Sequence, residues 1–240
     1  MLDIPIRNLV VEWRCPANLG FFGHMDAFGL EHLDEYPDWV RSGNSLELRN
    51  REKRKRFFVS HRRCFFDAIC QSPTSGSPET AEASRLFSDF ADRMKITRIE
   101  RLGLRIWAAF PKNYSFEKLV QKTSRKLNSN SRELLDCLDS EVVDSAFAVD
   151  LKTHDGWGMN LRSGPMKKSQ WFNVVPHEMQ LFRSDADAMD YQAKFSDVVF
   201  YLEIDHFKED FPYSEARDLC ERMRCKFQTL ATKLNDYLEL

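Results

Sequence analysis

Hydrophobic and polar positions alternate most cleanly over residues 96–110, where Leu102, Leu104, Ile106, Ala108 and Phe110 fall on one side. Arg101, Gly103, Arg105 and Trp107 fall on the other, and a period of two marks a strand with one apolar face. Shorter stretches of the same kind predict strands over residues 6–13, 142–152, 157–162 and 198–205. Residues 56–68 carry the pairs Phe57-Phe58 and Phe65-Phe66 around a polar centre and read as one strand, and residues 171–175 read as another. Asp155-Gly156 and Ser163-Gly164-Pro165 are turn sequences between the later strands.

Three-and-four spacing takes over elsewhere. Ala83, Leu86, Phe87, Phe90 and Met94 share one face of a helix that starts at Ser77, with Pro78 at its first position. Residues 115–127 predict a second helix, capped by Ser115, and residues 131–138 a third. From residue 214 a long helix carries Leu219, Met223, Phe227, Leu230, Leu234 and Leu238. That stripe suits either a dimerisation helix or a cover for the chain's own sheet, and a sheet in need of cover favours the second. Residues 16–45 are aromatic, irregular and unassigned. Strands and helices come in blocks without βαβ alternation, which predicts an α+β fold: a mainly antiparallel sheet covered by helices, with a long C-terminal helix. One domain over residues 1–240 is expected, any subdivision falling near residue 140. There is no internal sequence repeat and no glycine-rich phosphate loop.

The 240 residues are 42% hydrophobic and 30% charged, with 35 basic and 37 acidic side chains. A uniformly basic nucleic-acid binder and an acidic disordered chain are both excluded. No apolar run reaches the roughly 18 residues needed to span a bilayer, and residues 1–7 do not read as a signal peptide. A cytoplasmic protein with no membrane contact is expected. Cysteines 15, 64, 70, 137, 220 and 225 include no Cys-x-x-Cys pair, which predicts reduced, mostly buried thiols and no structural metal.

One local charge anomaly stands out. Residues 49–63 hold Arg49, Arg51, Lys53, Arg54, Lys55, Arg56, Arg62 and Arg63 against a single glutamate. The rest of the chain then carries 27 positive and 36 negative charges, a basic segment on an acidic body. Such a segment can neutralise phosphates, with Phe57 and Phe58 available to stack on bases where exposed, or can meet an acidic partner protein.

Catalytic constellations are sparse. Asp150 and Lys152 have the spacing of one half of a PD-(D/E)xK nuclease motif, in which Mg²⁺ orients the attacking water, with Asp139 or Asp144 as the earlier acid. Asp144 falls on the same predicted strand, and the usual Pro-Asp is missing. Without that chemistry no cofactor is expected. Glu203 and Asp205 share a strand face beside His206, and Arg101 and Arg105 share another. The two arginines could clamp a phosphate or carboxylate. Internal pairing with Glu203 and Asp205 is favoured, because a covered sheet face would otherwise hold bare charges.

Three segments together carry a resemblance: Ile4-Pro5-Ile6 leading into Val11-Glu12-Trp13; Arg98-Ile99-Glu100-Arg101-Leu102-Gly103-Leu104-Arg105; and Leu202-Glu203-Ile204-Asp205 before a long final helix. In this order they resemble a sporadically distributed family of uncharacterised prokaryotic proteins of similar length. Ile106-Trp107-Ala108 stands where that family has an aromatic-Ile-Asn run, and the basic segment is not a family feature. The resemblance implies one full-length domain, no known catalytic residues and a defence-associated setting. The expectation is therefore a non-catalytic binding or regulatory protein that contacts nucleic acid or an acidic partner through residues 49–63. A Mg-dependent nuclease and a protein dimerising through its last helix are the alternatives.

Overall fold

The computed structural model describes residues 5–70, 77–127, 142–153, 156–174, 180–216 and 218–238. Its frame is a single nine-stranded antiparallel sheet, so the protein is α+β. In chain order the strands are β1 (Ile6–Arg14), β2 (Asp38–Arg41), β3 (Ser45–Asn50), β4 (Lys55–Ser60), β5 (Arg63–Ile69), β6 (Arg98–Pro111), β7 (Phe147–Lys152), β8 (Trp157–Lys167) and β9 (Val198–Pro212). Across the sheet they run β2-β3-β4-β5-β1-β6-β9-β8-β7. The helices are α1 (Phe21–Glu31), α2 (Ser77–Arg93), α3 (Phe116–Leu127), α4 (Trp171–Val174), α5 (Asp185–Ala193) and α6 (Leu219–Leu238).

One face of the sheet is largely apolar, because most strands turn alternate apolar residues to it, with Lys55, His206 and Lys208 among the exceptions. Leu9, Val11 and Trp13 of β1 meet Leu102, Leu104 and Ile106 of β6 there, under α2 and α6. The Trp13 ring stacks on Phe87 of α2 at 4.4 Å and 11°. The α6 stripe is spent on this cover: Leu219, Met223 and Phe227 are buried in the same core. On the opposite face a smaller apolar cluster forms where Trp171, Leu181, Phe182, Tyr191 and Phe195 pack onto Ile69, Trp107, Ala109 and Val199. This layer occupies one end of the strands and leaves the other end open.

The connectivity repeats although the letters do not. In each half an opening strand leads to a helix, then to further antiparallel strands, the last of which returns beside the first. The interval from Pro16 to Pro111 equals that from Phe21 to Phe116, the first residues of α1 and α3, and that from Leu9 to Leu104. Val10 and Arg105 are separated by the same interval and are cross-strand partners, so a pseudo-twofold axis passes through that pair. Asp67 and Asp205 are then equivalent, each pairing with one member of it.

Three sequence expectations are corrected, and one unassigned stretch is filled. Residues 56–68 form a hairpin, not one strand, because Ser60 Oγ accepts the Arg63 N–H and donates to the Arg63 carbonyl, closing a turn at the polar centre. The strand expected over residues 171–175 is not found in its described part: α4 covers residues 171–174, entered by a single 3-10 turn in which the Lys167 N–H donates to Gln170 Oε1. Ser163-Gly164-Pro165 is no turn but lies within β8; pairing with β7 stops at Ser163, so Pro165, which has no N–H to give, sits where β8 has β9 as its one paired neighbour. The irregular stretch 16–45 contains α1 and the edge strand β2. The helix expected over 131–138, the proposed boundary near 140, Cys137 and Asp139 lie outside the described residues.

Candidate anion-binding cleft

Strand register decides which polar side chains meet on the open face. One row crosses all nine strands: Asp38, Arg49, Arg56, Asp67, Val10, Arg105, Asp205, Asn160 and Asp150 are successive cross-strand neighbours. Opposite charges dominate its centre. Arg56 donates from Nε and Nη2 to Asp67 Oδ2 at 3.2 and 3.1 Å, and Asn8 Nδ2 donates to Asp67 Oδ1 at 3.2 Å. Arg105 and Arg101 both donate to Asp205 Oδ2, at 2.9 and 3.2 Å. Burial disfavours the charged form of Arg105, but the hydrogen bond and charge of Asp205 more than offset this and raise its pKa. The Glu203 carboxyl is pushed up by desolvation, against the pull of Arg105 and Arg162.

The second row is different in kind. Arg63, Arg14 and Arg101 stand directly side by side on β5, β1 and β6. Like charges in directly opposed cross-strand positions repel, and one carboxylate serves all three. Glu12 lies 3.0 Å from Arg14 Nε, 2.7 Å from Arg63 Nε and 3.4 Å from Arg101 Nη1. Exposed Glu209 follows on β9, opposite Arg101.

Two glycines let this surface lie flat. The Arg101 guanidinium sits over the Phe207 ring at 4.6 Å, and a Cβ on Gly103 would stand 2.8 Å from Arg101 Nη1. A Cβ on Gly158 would fall 2.1 Å from the Phe207 ring, which lies across that strand. Between the arginine rows is a cleft of about 480 Å³ lined by Glu12, Arg14, Arg56, Arg63, Phe65, Asp67, Arg101, Gly103, Arg105, Trp107 and Asp205, with Val10 at its floor. Five arginines face three carboxylates, a surplus of two positive charges. Chemically the cleft suits an oxyanion held by planar, multiply donating groups.

The structure brings the expected quartet together. Arg101, Arg105, Glu203 and Asp205 pair internally, Arg105 reaching Glu203 at 3.7 Å, and the same arginines also line the cleft. The eight basic residues of 49–63 do not form one surface, because they alternate along a hairpin. Arg49 pairs with Glu47 on the open face, and Arg51 stands 4.0 Å from Asp38. Lys55 points to the helix-covered side, where it pairs with Glu82 of α2. Arg54, in the left-handed region at φ 52°, donates to Asp187 of α5 at 2.8 Å and lies over the rings of Phe182 and Tyr191. Lys53 and Arg62 are exposed at turns. Only Arg56 and Arg63 of the eight line the cleft. Phe57 is buried in the main core, and Phe58 stacks on Phe65 of the neighbouring strand at 4.9 Å.

Asp150 and Lys152 are exposed on β7, the edge strand, opposite Asn160 and Gly158. Asp144 lies ahead of that strand, its carboxylate accepting the Ser145 N–H at 2.8 Å. Among the described residues no group of three His, Cys, Asp or Glu side chains is arranged to hold a metal ion. Cys15, Cys64, Cys70 and Cys220 are buried, and burial pushes the Cys15 thiol up to about 12. No helix among the described residues is long and apolar enough to cross a membrane.

Sequence reasoning missed Glu12, Arg14 and Asp67. Their alternation within strands was visible, but their convergence with Arg101 and Arg63 depends on register between segments far apart in the chain. Comparison of the sequence with protein-family models and with curated proteins gives no match.

Proposed function

We propose that this is a non-catalytic binding protein that takes a phosphate-bearing ligand, nucleic acid foremost, on the open face of its sheet. Arg14, Arg63, Arg101 and Arg105 are the contact residues, and Arg56 and Arg63 are the contribution of the basic segment. One observation carries this reading: a single carboxylate, Glu12, is shared by three guanidiniums on adjacent strands. Such a row is held against its own repulsion, and an incoming oxyanion relieves it. Flat sheet faces edged with arginine and aromatic rings are also a form in which single strands are bound. We extend the proposal to a regulatory, defence-associated setting, an expectation drawn from the sequence resemblance alone.

Titration of labelled single-stranded DNA and RNA across a salt series tests it. Binding is expected to weaken linearly on a log–log plot, with a slope of about −0.7 per phosphate neutralised. Arg14→Ala together with Arg63→Ala should flatten that slope while the protein stays folded. Absence of binding to any strand at low salt would overturn the reading.

A further inference from the structure

We infer that the cleft selects a phosphomonoester, the dianionic terminal phosphate of a nucleotide or of a nucleic-acid strand, over the phosphodiesters inside a chain. This rests on the binding role proposed above and narrows it to a ligand class. Charge comes first. The lining carries two more arginines than carboxylates; of the charges beyond it, Arg49 and Arg162 offset Glu47 and Glu203, and Glu209 stands exposed outside the lining, across from Arg101. A phosphomonoester brings about −1.5 to −2 at neutral pH, whereas an internal phosphodiester brings about −1. The monoester matches the surplus.

Geometry points the same way. Neighbouring strands lie about 4.8 Å apart, so Arg63, Arg14 and Arg101 span about 10 Å and can surround one phosphate with its three free oxygens. Arg14 and Arg63 each spend Nε on Glu12 and are about half exposed, 52% and 51%. Among the described residues Glu12 is the one carboxylate paired with either of them; both line the cleft, and the Arg63 guanidinium lies over the Phe65 ring at 5.2 Å. The space, about 480 Å³, holds one nucleotide rather than a run of them. Along the strand direction the cleft ends at the layer built from Trp171, Phe182, Tyr191 and Phe195 over Trp107, so a chain entering along the strands stops there. A site with a closed end and charge for a dianion is a site for an end.

The test compares one short single-stranded oligonucleotide in three forms, with a 5′-phosphate, with a 3′-phosphate, and with hydroxyls at both ends, by fluorescence anisotropy on the full chain. One phosphorylated form is expected to bind about tenfold or more tighter than the hydroxyl form. Arg14→Ala and Arg63→Ala should each remove most of that preference with an unchanged melting temperature. Arg14→Lys, which keeps charge but loses the planar fork, should restore it only in part. Competition by a nucleoside monophosphate with the same arginine dependence assigns the source to free nucleotides, and its failure assigns the source to strand ends. Equal affinity for all three oligonucleotides overturns the inference and leaves nucleic-acid binding standing. Binding of a glutamate-rich peptide with no binding of any oligonucleotide overturns both.

Discussion

The two faces of one sheet solve opposite problems with the same strands. On β6, Leu102, Leu104 and Ile106 turn to one side and are sealed under α2 and α6, while Arg101 and Arg105 turn to the other and stay within reach of water. The sealed face is held by burial, which is additive and indifferent to which apolar neighbour supplies the contact. The open face is held by pairing, where each guanidinium depends on a particular carboxylate and a missing partner leaves a charge stranded. The first face therefore fixes the architecture, and the second is where the strands have charge to spare for a ligand.

Substitutions can break this contrast at graded strength. The largest loss is expected from Trp13→Ala, which empties a fully buried ring site stacked on Phe87. About 3–5 kcal/mol should disappear from the unfolding free energy in urea. A smaller loss, about 3 kcal/mol, should follow Asp67→Ala on the other face. Asp67 is fully buried, and its removal strands Arg56, which keeps only its longer contact with Glu47 and its bond to Gln180. Equal stability of the variant and the parent would show that the open face is not held by its pairs. Arg14→Ala should change stability by no more than about 0.5 kcal/mol, because its ion pair is half exposed. Its effect belongs to ligand binding, and a large drop in melting temperature would place Arg14 in the frame instead.

Much of this frame was legible from the letters, for reasons that differ by element. β6, α2 and α6 show long, regular periods with little competing signal. α1 was hidden because Gly23 and Gly29 sit inside it, each costing a helix about 1 kcal/mol, and its apolar positions Phe21, Met25 and Phe28 are few. β4 and β5 merged into one strand because the apolar pairs on either side of the Ser60 turn look continuous. At the site, Arg105 and Asp205 were matched correctly from two strand patterns alone. The row of Arg63, Arg14 and Arg101 was not, since nothing local to any of the three announces the other two. The run of basic residues in 49–63 misled in the opposite way: neighbours in sequence on a strand point to opposite faces, so a dense charge cluster in the letters becomes several separate environments in space.

The near-twofold seam through Val10 and Arg105 has a consequence for how the molecule holds together. Had the two halves been separate chains, the edges of β1 and β6 would pair only as concentration allowed, and dilution would expose a row of unpaired amides on each. Joined through α2, which itself packs on the sheet, the halves meet at an effective concentration set by the connection, whatever the protein's abundance. Association has become an internal property of the chain, and the cleft that straddles the seam is assembled whenever the chain is folded.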